Sequence, residues 1–598
     1  MHRMNSRLLP ITQALLAALS ALFLATLLAS KAEAAAPRKL SPPNTDSANA
    51  TRISTPANPA NARAVYRMRP SNSAPYELWS TPIAGGTATK LSGTLVAGGE
   101  VTSFQLSKDG TSAVFLAYKD DADKRELYSV PVDGSAAAVK RSGTLVAGGN
   151  VNTFAISDDS SRIVYRADKD VVARNELYSV PIASGSGMKL VNITTATRDV
   201  DSFLISPDST RVVFLADLDT SNIQELYSVG IASTSFTKIS DTLFPGGVVR
   251  DYAITPDSSR AVYLAEVAGL NEEDLYSVPI TGAGASQIHS GEIPAGEEVT
   301  EFKIIPDGTR IVFRAAELAN GPRVLHSVPI NSANSLIISR PASLYGEVQE
   351  FLISPDSARV IYKAAGTASA ARQLHSVPVN SNAGATVCPL LIAGDEIPFD
   401  DWFQISPDAS RVVFTANIAA ANTDRLFSAA IAGGSCVDLS GSMVLSGNVS
   451  NNNFAISPDS KRVVFIADKD SNGQEELFSV PLPGGSATKI SGEFNGSGDV
   501  DRFQISADSK WVAFNATKDT PGAYELYSVA LDGGGALLDI DGDGKVLATT
   551  DMLLILRYQL GIRGGELITN ALGIGATRNT SFPVEQYLRR VLEAPSLE

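Results

Sequence analysis

Short apolar runs separated by small polar turns recur along most of the chain. In one such unit, Val200 to Ser206 is the first run, with Phe203 and Ile205 at alternate positions, and a Pro-Asp-Ser turn follows. Arg211 to Ala216 is an almost continuous apolar run, and Glu225 to Val229 and Thr237 to Ser240 are two further short runs. Runs rich in β-branched and aromatic residues, bounded by Pro, Asp, Gly and Ser, predict strands joined by turns. One unit therefore contains four predicted strands.

The same unit recurs at intervals of 49 to 52 residues. An aromatic residue in the first strand marks each copy: Phe104, Phe154, Phe203, Tyr252, Phe302, Phe351, Phe403, Phe454 and Phe503. A fixed period of this length indicates a repeat architecture, in which neighbouring units share one continuous core. No helical period is visible before residue 545.

Four short strands per unit are typical of a β-propeller blade. A single blade exposes two apolar faces, and stacking against its neighbours buries them. Counting the third strand, from Glu77 to Glu525, gives ten units, more than the roughly four to eight blades usual for one ring. No linker interrupts the rhythm, so one large ring and two smaller rings both stay open. The predicted fold class is an all-β propeller with a small C-terminal α-helical module.

The phrase I-S-P-D-S-x-R-V-V-F-x-A-D resembles the PD40, or WD40-like, repeat of the TolB-type propellers. The resemblance extends from about Ile53 to Leu531. It implies the propeller fold and says little about function. The chain departs from the family in two respects: it lacks a separate N-terminal α/β domain, and it has more repeats than a six-bladed ring needs.

The chain begins with a predicted secretory signal, residues 1–34. Arg3 and Arg7 form the basic region, Leu8 to Ala29 is apolar, and Ala32 to Ala34 supplies the small-x-small cleavage pattern. We expect cleavage after residue 34 and export from a bacterial cell to the periplasm, the cell surface or the medium. An uncleaved anchor is the alternative, because the apolar run is long enough to span a bilayer. The absence of Cys near the cut argues against a lipid anchor.

Composition divides the rest of the chain into three segments. Residues 35–63 are rich in Pro, Ser, Asn, Thr and Ala, which predicts a flexible linker; Ile53 is the start of a degraded copy of the repeat. Residues 64–535 form the predicted propeller. The rhythm stops at a Gly-Gly-Gly run, and residues 536–598 form the predicted C-terminal module, in which Pro583 to Leu592 is a helix.

The strongest candidate site is a calcium loop in this C-terminal module. Asp539, Asp541 and Asp543 are spaced as the first, third and fifth ligands of an EF-hand loop. Gly544 stands at the turn position, and the carbonyl of Lys545 stands at the seventh position. Calcium prefers such a set of oxygen ligands, and the glycine permits the sharp turn. Calcium is therefore the predicted cofactor.

This loop and the apolar segment after it resemble the dockerin half-motif, which lacks the entering helix of an EF-hand. The resemblance implies that Asp551 is the last carboxylate ligand, because position twelve is Thr550. A full dockerin has a second loop, and the corresponding segment 575–582 has no Asp-x-Asp-x-Asp-Gly. The sequence therefore favours a calcium-stabilised module and leaves open docking to a surface or a multi-protein complex.

Two sets of propeller carboxylates are candidate ligand-binding groups. An Ala-Asp-x-Asp phrase follows the second strand in three units and supplies these residues: Asp168, Asp170, Asp217, Asp219, Asp468 and Asp470. Loops of this type gather on one face, where repeated Asp binds cations or sugar hydroxyls; turn capping is the simpler interpretation. Asp251, Glu301 and Glu350 precede the first-strand aromatic residue in successive units and are candidates for an acidic channel mouth.

The two cysteines, Cys388 and Cys436, fall in corresponding late parts of adjacent units. An exported protein permits a disulfide. The outer strands of neighbouring blades diverge, however, and Cα atoms more than about 7 Å apart cannot be bridged. The sequence leaves the pairing open.

The charge balance and the missing motifs limit the functional classes. Removal of residues 1–34 leaves 46 basic and 63 acidic residues, a net charge of −17. This charge argues against nucleic acid and anionic membranes as partners, and it suits cations, neutral glycans or a basic protein. No G-x-S-x-G elbow or HExxH is present, and His326 and His375 occupy the tyrosine position of the third strand.

The sequence favours a secreted, non-catalytic scaffold that binds a protein or a glycan. An extracellular glycan-active hydrolase or lyase is the alternative, because two channel carboxylates that converge would supply an acid and a base.

Overall fold

A computed structural model describes most of residues 37–533 and, beyond them, residues 553–554, 557–558, 562–572 and 579–592. Within 37–533 it leaves out residues 42–45, 54–61, 72, 196–197, 268–272, 292–296, 317–320, 340–345, 366–371, 389–396, 398–402, 419–422, 495, 497 and 520–521. The predicted signal and the predicted calcium loop lie outside the described residues.

The described strands form ten antiparallel four-stranded sheets, which we number as blades 1 to 10 in chain order. The first strands are Asp46–Ile53, Val101–Leu106, Val151–Ile156, Val200–Ile205, Val249–Ile254, Glu301–Ile304, Val348–Ile353, Phe403–Ile405, Val449–Ile456 and Val500–Ile505. The second strands are Arg63–Arg69, Ser112–Ala117, Arg162–Ala167, Arg211–Ala216, Arg260–Ala265, Arg310–Ala316, Arg359–Ala365, Arg411–Ile418, Arg462–Ala467 and Trp511–Ala516.

The third and fourth strands complete each sheet. The third strands are Glu77–Pro82, Glu126–Pro131, Glu176–Pro181, Glu225–Gly230, Asp274–Pro279, Arg323–Pro329, Arg372–Pro378, Thr423–Ala430, Glu476–Pro481 and Glu525–Ala530. The fourth strands of blades 1 to 9 are Thr89–Lys90, Val139–Lys140, Met188–Lys189, Phe236–Lys238, Gln287–Ile288, Leu336–Ile337, Ala385–Val387, Cys436–Asp438 and Thr488–Lys489. The predicted four-stranded unit is confirmed.

The fourth strand of blade 10 comes from the other end of the chain. Arg38–Lys39 pairs with the third strand of that blade, the Leu40 N–H donates to the Leu526 carbonyl at 2.7 Å, and Lys39 pairs with Glu525. This pairing closes the ring. Composition predicts a flexible linker for residues 35–63; the described part of this segment contains the strands Arg38–Lys39 and Asp46–Ile53. Arg38 to Ser41 repeats the strand pattern that other blades show as Thr-Lys-Leu-Ser.

Hydrophobic cores lie between the blades rather than within them. Every pair of neighbouring blades shares one, and Tyr66 of blade 1 packs with Leu40, Ala513 and Leu526 of blade 10. The other nine seams have equivalent clusters. One closed ring of ten blades thus forms, because burial of both apolar faces of each blade is the main stabilising contribution.

First strands form the inner wall of the ring, because those of neighbouring blades contact one another. Lys303 Nζ donates to the Phe351 carbonyl at 2.6 Å, and Gln404 Nε2 donates to the Phe454 carbonyl at 2.8 Å. The antiparallel order places the Ser-Pro-Asp-Ser turns on one face of the ring, here called the turn face. The connections after the second and fourth strands lie on the opposite face, here called the loop face.

Two helices of the C-terminal region have described bounds, α1 (Gly565–Ile568) and α2 (Ser581–Leu592). Leu554, Tyr558, Leu567, Val584 and Leu588 form a small buried core of their own. Among the described residues, no helix is long and apolar enough to cross a membrane.

Candidate functional site

The repeated Ser-Pro-Asp-Ser turns join neighbouring blades. In blade 4, Ser206 Oγ and the Thr210 N–H donate to Asp208 Oδ1 at 2.6 and 3.1 Å. The Asp208 N–H donates to Ser258 Oγ of blade 5 at 3.0 Å. Equivalent bonds across other seams join Asp109 to Ser160, Asp159 to Ser209, Asp307 to Ser357, Asp408 to Ser460 and Asp459 to Ser509. The most repeated motif of the chain is therefore structural.

The first Asp of each Ala-Asp-x-Asp phrase is buried and caps backbone on the loop face. Asp168 accepts the Asn150 N–H at 2.6 Å and the Ala173 N–H at 3.0 Å. Asp217 makes the equivalent bonds at 2.7 and 3.0 Å. Asp468 accepts the N–H groups of Asn448 and Gly473. Each carboxylate thus ties its own loop to the loop that enters the blade.

The second Asp of each phrase lies beside the lysine of the fourth strand, away from the inner wall. Asp170 lies 2.9 Å from Lys189, and Asp219 lies 3.4 Å from Lys238. Asp470 is 3.9 Å from its lysine, Lys489. The structure does not bring the three phrases together into one ligand site, because they belong to blades 3, 4 and 9.

A regular capping bond on the loop face is made by the residue immediately before the first strand. In blades 3, 4, 9 and 10 this residue is Asn or Asp, and its side chain accepts a backbone N–H of the preceding blade. The bonds join Arg125 to Asn150, Asn175 to Asp199, Asp424 to Asn448 and Glu475 to Asp499, at 2.5 to 2.9 Å. A short polar side chain suits this position, because it reaches only the adjacent backbone.

Blade 2, with Glu100, and the three consecutive blades 5, 6 and 7 depart from this rule. The position holds Val248 in blade 5, Glu298 in blade 6 and Glu347 in blade 7. Arg323 of blade 6 lies 3.4 Å from Glu298 and 3.3 Å from Glu347, so the two longer carboxylates share one guanidinium. Both Glu side chains are more than two-fifths exposed. In blades 6 and 7 the structural cap is thus replaced by solvent-facing charges.

Blade 5 extends this charged group. Arg250, which is half exposed, pairs with Glu273 and lies 3.7 Å from the buried Glu266. Burial raises the pKa of Glu273; Arg250 opposes the shift, while Glu298 and Glu266 add to it. We call Arg250, Glu273, Glu298, Arg323 and Glu347 the blade 5–7 mouth. Sequence reasoning missed it, although departure from the Asn or Asp pattern before the first strand was a visible signal.

Two of the three predicted channel carboxylates lie on the inner wall beside cations. Glu301 is 3.0 Å from Lys303 and 3.9 Å from Arg314. Glu350 is 3.5 Å from Lys363, whose side chain is almost fully buried. The third member of this set, Asp251, accepts the N–H of the residue that follows it. Acidic charge is thus largely balanced along this wall.

The two histidines at the tyrosine position pack as aromatic residues. His326 stacks on Phe313 with ring centroids 4.9 Å apart, and His375 lies 5.2 Å from Tyr362. Burial lowers the pKa of His326 to about 4, so its ring is neutral at physiological pH.

Cys388 and Cys436 form a disulfide between blades 7 and 8. Their Cα atoms are 5.0 Å apart, within the range that a disulfide spans. The strands diverge less than expected here, because Val387 forms a parallel bridge with Gly434.

Asp539, Asp541, Asp543, Lys545 and Asp551 lie outside the described residues. Among the residues that are described, no group of three or more His, Cys, Asp or Glu side chains is arranged to hold a metal ion.

Comparison with known proteins gives one family match. The model of the lipoprotein LpqB beta-propeller domain matches residues 77–234, which run from blade 1 into blade 4. No curated protein matches the chain.

Several solved structures are distantly similar. A eukaryotic initiation factor is 10% identical, with a TM-score of 0.42, over 68% of this chain and 90% of that one. An oligogalacturonate lyase in complex with manganese is 14% identical, with a TM-score of 0.34, over 66% and 98%. An oligogalacturonate lyase from Vibrio parahaemolyticus is 13% identical, with a TM-score of 0.33, over 65% and 98%. Likeness at this level carries no weight for function.

Proposed function

We propose that this protein is an exported binding scaffold that holds a basic segment of a partner protein at the blade 5–7 mouth. The observation that carries the proposal is the replacement, in the adjacent blades 6 and 7, of a structural cap by two exposed carboxylates that share the Arg323 guanidinium. Elsewhere on the loop face, the described carboxylates that sequence reasoning singled out cap backbone or pair with lysines. Because Glu298 and Glu347 do not cap the backbone of a neighbouring blade, their carboxylates are available to bind a ligand.

The charges at the mouth favour a cationic ligand. Four carboxylates, those of Glu266, Glu273, Glu298 and Glu347, surround the two guanidinium groups of Arg250 and Arg323. The raised pKa of Glu273 reflects burial and this crowding of like charge. A lysine or arginine of a partner would neutralise part of the excess negative charge at the mouth. Salt screens this attraction, so binding should weaken as the salt concentration rises.

The test is a binding screen of the mature chain against purified envelope proteins and a glycan array. We expect protein ligands that the double variant Glu298→Gln/Glu347→Gln no longer binds and that salt weakens. Glu100→Gln is the matched control, because Glu100 holds the same position in blade 2, outside the mouth. Equal binding by wild type and double variant, or binding of glycans alone, contradicts the proposal; turnover of a glycan supports the enzyme alternative.

We also propose that the C-terminal module binds calcium through Asp539, Asp541, Asp543, the Lys545 carbonyl and Asp551. The spacing of the ligands supports this proposal. Leu554 and Tyr558, which follow the loop, are buried in the small core of the module, and this packing would anchor the segment that carries the loop. Bound calcium stabilises the folded module by about 2.7 kcal/mol at a hundredfold excess over Kd. Calorimetric titration of the mature chain checks this: Asp539→Asn/Asp541→Asn should abolish binding, and Asp158→Asn on the turn face should not.

Export to the bacterial envelope is the third part of the proposal. The predicted leader supports it, and so does the match to a domain described from a lipoprotein. Cell fractionation and N-terminal sequencing of the mature protein test it; a chain that keeps residues 1–34 in the cytoplasm contradicts it.

A further inference from the structure

One position at the end of the fourth strand forms a seam contact whose chemistry varies between blades. Most blades carry a buried aliphatic residue there: Leu40, Leu91, Leu190, Ile239, Ile338, Leu439 and Ile490. In blade 2 the residue is Arg141, whose Nη2 donates to the Ala183 carbonyl of blade 3 at 2.7 Å. In blade 5 it is His289, whose Nδ1 lies 2.8 Å from the Ser332 carbonyl of blade 6. In blade 7 it is Cys388, bonded to Cys436 of blade 8.

The seam between blades 6 and 7 has three polar side-chain contacts. The Asp307 N–H donates to Ser357 Oγ at 2.9 Å on the turn face. Lys303 Nζ donates to the Phe351 carbonyl on the inner wall, and Arg314 Nη1 donates to the Gln349 carbonyl at 2.6 Å. Three side chains at three depths therefore bind this seam.

The seam between blades 7 and 8 has lost two of these contacts by substitution. Ala409 stands where Ser357 offers a hydroxyl at the preceding seam, and Leu352 stands where Lys303 donates there. Neither Ala nor Leu forms a hydrogen bond through its side chain. The disulfide is the covalent contact at this seam, and it stands where two polar contacts of the neighbouring seam between blades 6 and 7 are absent.

We propose that the Cys388–Cys436 disulfide is a redox-controlled latch, a site at which a dithiol reductant opens the seam between blades 7 and 8. Cys388 is fully buried, whereas Cys436 is partly accessible. A thiolate of the reductant attacks the Cys436 sulfur, forms a mixed disulfide with it and releases the Cys388 thiolate, which takes up a proton. The second thiol of the reductant, as its thiolate, then attacks the reductant sulfur that is bonded to Cys436. This closes the disulfide of the reductant and releases the Cys436 thiolate, which also takes up a proton. The protein disulfide gains two electrons and two protons, and the dithiol becomes a disulfide.

Reduction should loosen one seam without unfolding the ring. The core between blades 7 and 8 still packs Ile361, Leu374 and Phe403 against one another, and the other nine seams are unchanged. Opening of one cooperative unit at a lower free energy than the whole is the usual behaviour of a locally weakened region. Blade 7 also carries Glu347, so the latch acts at one edge of the blade 5–7 mouth, although it does not depend on the proposed ligand.

The test is hydrogen exchange of the full mature chain, oxidised and after reduction with dithiothreitol. We expect protection to fall about tenfold or more in residues 385–388 and 436–438 and to stay within about twofold in residues 336–338 and 488–490. Cys388→Ser/Cys436→Ser should behave as the reduced protein and should not respond to dithiothreitol. Ala409→Ser, which restores the missing hydroxyl, should reduce the difference.

Two results would overturn the latch. Unchanged exchange at 385–388 and 436–438 after mass spectrometry confirms two free thiols would show that the seam is stable without the bond. A uniform loss of protection over all ten blades would show that the disulfide supports the entire ring. Because reduced wild-type protein is measured directly, the result stands even if the double serine variant does not fold.

Discussion

Phe478 of blade 9 stands where four other blades have a tyrosine that binds a buried glutamate. Tyr227 is an example, with its hydroxyl 3.0 Å from Glu225 Oε2, and Tyr128, Tyr178 and Tyr527 make the same bond. In blade 9, Glu476 Oε1 lies 3.1 Å from Lys489, whereas its buried Oε2 has no hydrogen-bond partner among the described residues. A buried acceptor without a partner costs stability.

Phe478→Tyr should therefore stabilise the protein by about 1 kcal/mol, because the new hydroxyl donates to Glu476 Oε2. The measurement is the Tm by differential scanning calorimetry. Phe427→Tyr in blade 8 is the matched control, since the residue two positions earlier is Arg425, which accepts no hydrogen bond. An equal gain in both variants would refute the explanation.

Ser209 on the turn face combines a hydrogen bond with an unfavourable backbone conformation. Its φ is 61°, and its hydroxyl accepts the Asp159 N–H of the preceding blade at 3.1 Å. Ser209→Ala should destabilise the protein by about 1 kcal/mol through the lost hydrogen bond. Ser209→Gly should cost less, because glycine adopts a positive φ without strain. Urea unfolding of the two variants checks the order, and a larger loss for glycine would contradict it.

Among the elements, the N-terminal strand Arg38–Lys39 is only two residues long, yet it closes the ring. Lys39 pairs with Glu525 as Lys90 pairs with Glu77, yet only the first pair joins the two ends of the chain. Arg38 also donates to the Ala84 carbonyl of blade 1. The strand thus contacts the last blade and the first.

Deletion of residues 35–41 should leave the edge of blade 10 open and lower the Tm by several degrees or more, because buried backbone groups lose their partners. A synthetic peptide that contains Pro-Arg-Lys-Leu-Ser should bind the truncated chain and restore part of the Tm. Lys90→Ala is the control for loss of one ion pair. No change in Tm on deletion would show that the strand does not contribute to closure.

The elements themselves were largely predictable from the sequence. The second strand of blade 4 has the predicted bounds, Arg211–Ala216, because its apolar run ends at polar turns. The strand at Arg38–Lys39 was missed because two residues carry little periodicity and lie in a Pro- and Ser-rich segment. The only signal for this strand is that the sequence Arg38 to Ser41 resembles the fourth-strand sequence Thr237 to Ser240. That resemblance becomes informative only when the structure shows that the chain after the third strand of blade 10 supplies no fourth strand to its sheet.

At the scale of the whole molecule, the turn face contains a ring of aspartates whose pKa values are depressed. Burial alone would raise the pKa of Asp208, but hydrogen bonds from Ser206 and Thr210 outweigh it and hold the pKa below 3.8. Asp109, Asp159, Asp408 and Asp459 behave alike. A carboxyl group with a lower pKa in the folded state stabilises the fold above its ordinary pKa, and this stability is lost as pH falls through the depressed value.

The ring should therefore keep its resistance to urea from neutral pH down to about pH 5 and lose it steeply below about pH 4. Asp208→Asn/Asp459→Asn should be less stable than wild type at pH 7 and equally stable at pH 2. Urea midpoints at a series of pH values measure both. A difference between the two proteins that persists at pH 2 would show that these aspartates act through packing rather than charge.

Neither the number of blades in one ring nor the location of the blade 5–7 mouth could be predicted from the sequence, and the reason is the same for both. Both depend on which blades are neighbours, and a repeat period does not state whether the last unit meets the first. Glu298 and Glu347 stand 49 residues apart in the chain, and only the ring places them on either side of Arg323. The sequence did show correctly that residues shared by all units pack; that function lies where units differ stays a prediction.

Closure by the N-terminal strand also has a consequence for the ancestry of the ring. The residues that join its ends lie at Arg38 to Ser41 and at Glu525 to Ser528, outside the uninterrupted series of middle units. Duplication or loss of one whole middle unit in the gene would leave that joint unaltered, since each blade binds only its two neighbours. A family built on this plan is free to vary in blade number by single recombination events, and a ring of ten is one outcome of such growth.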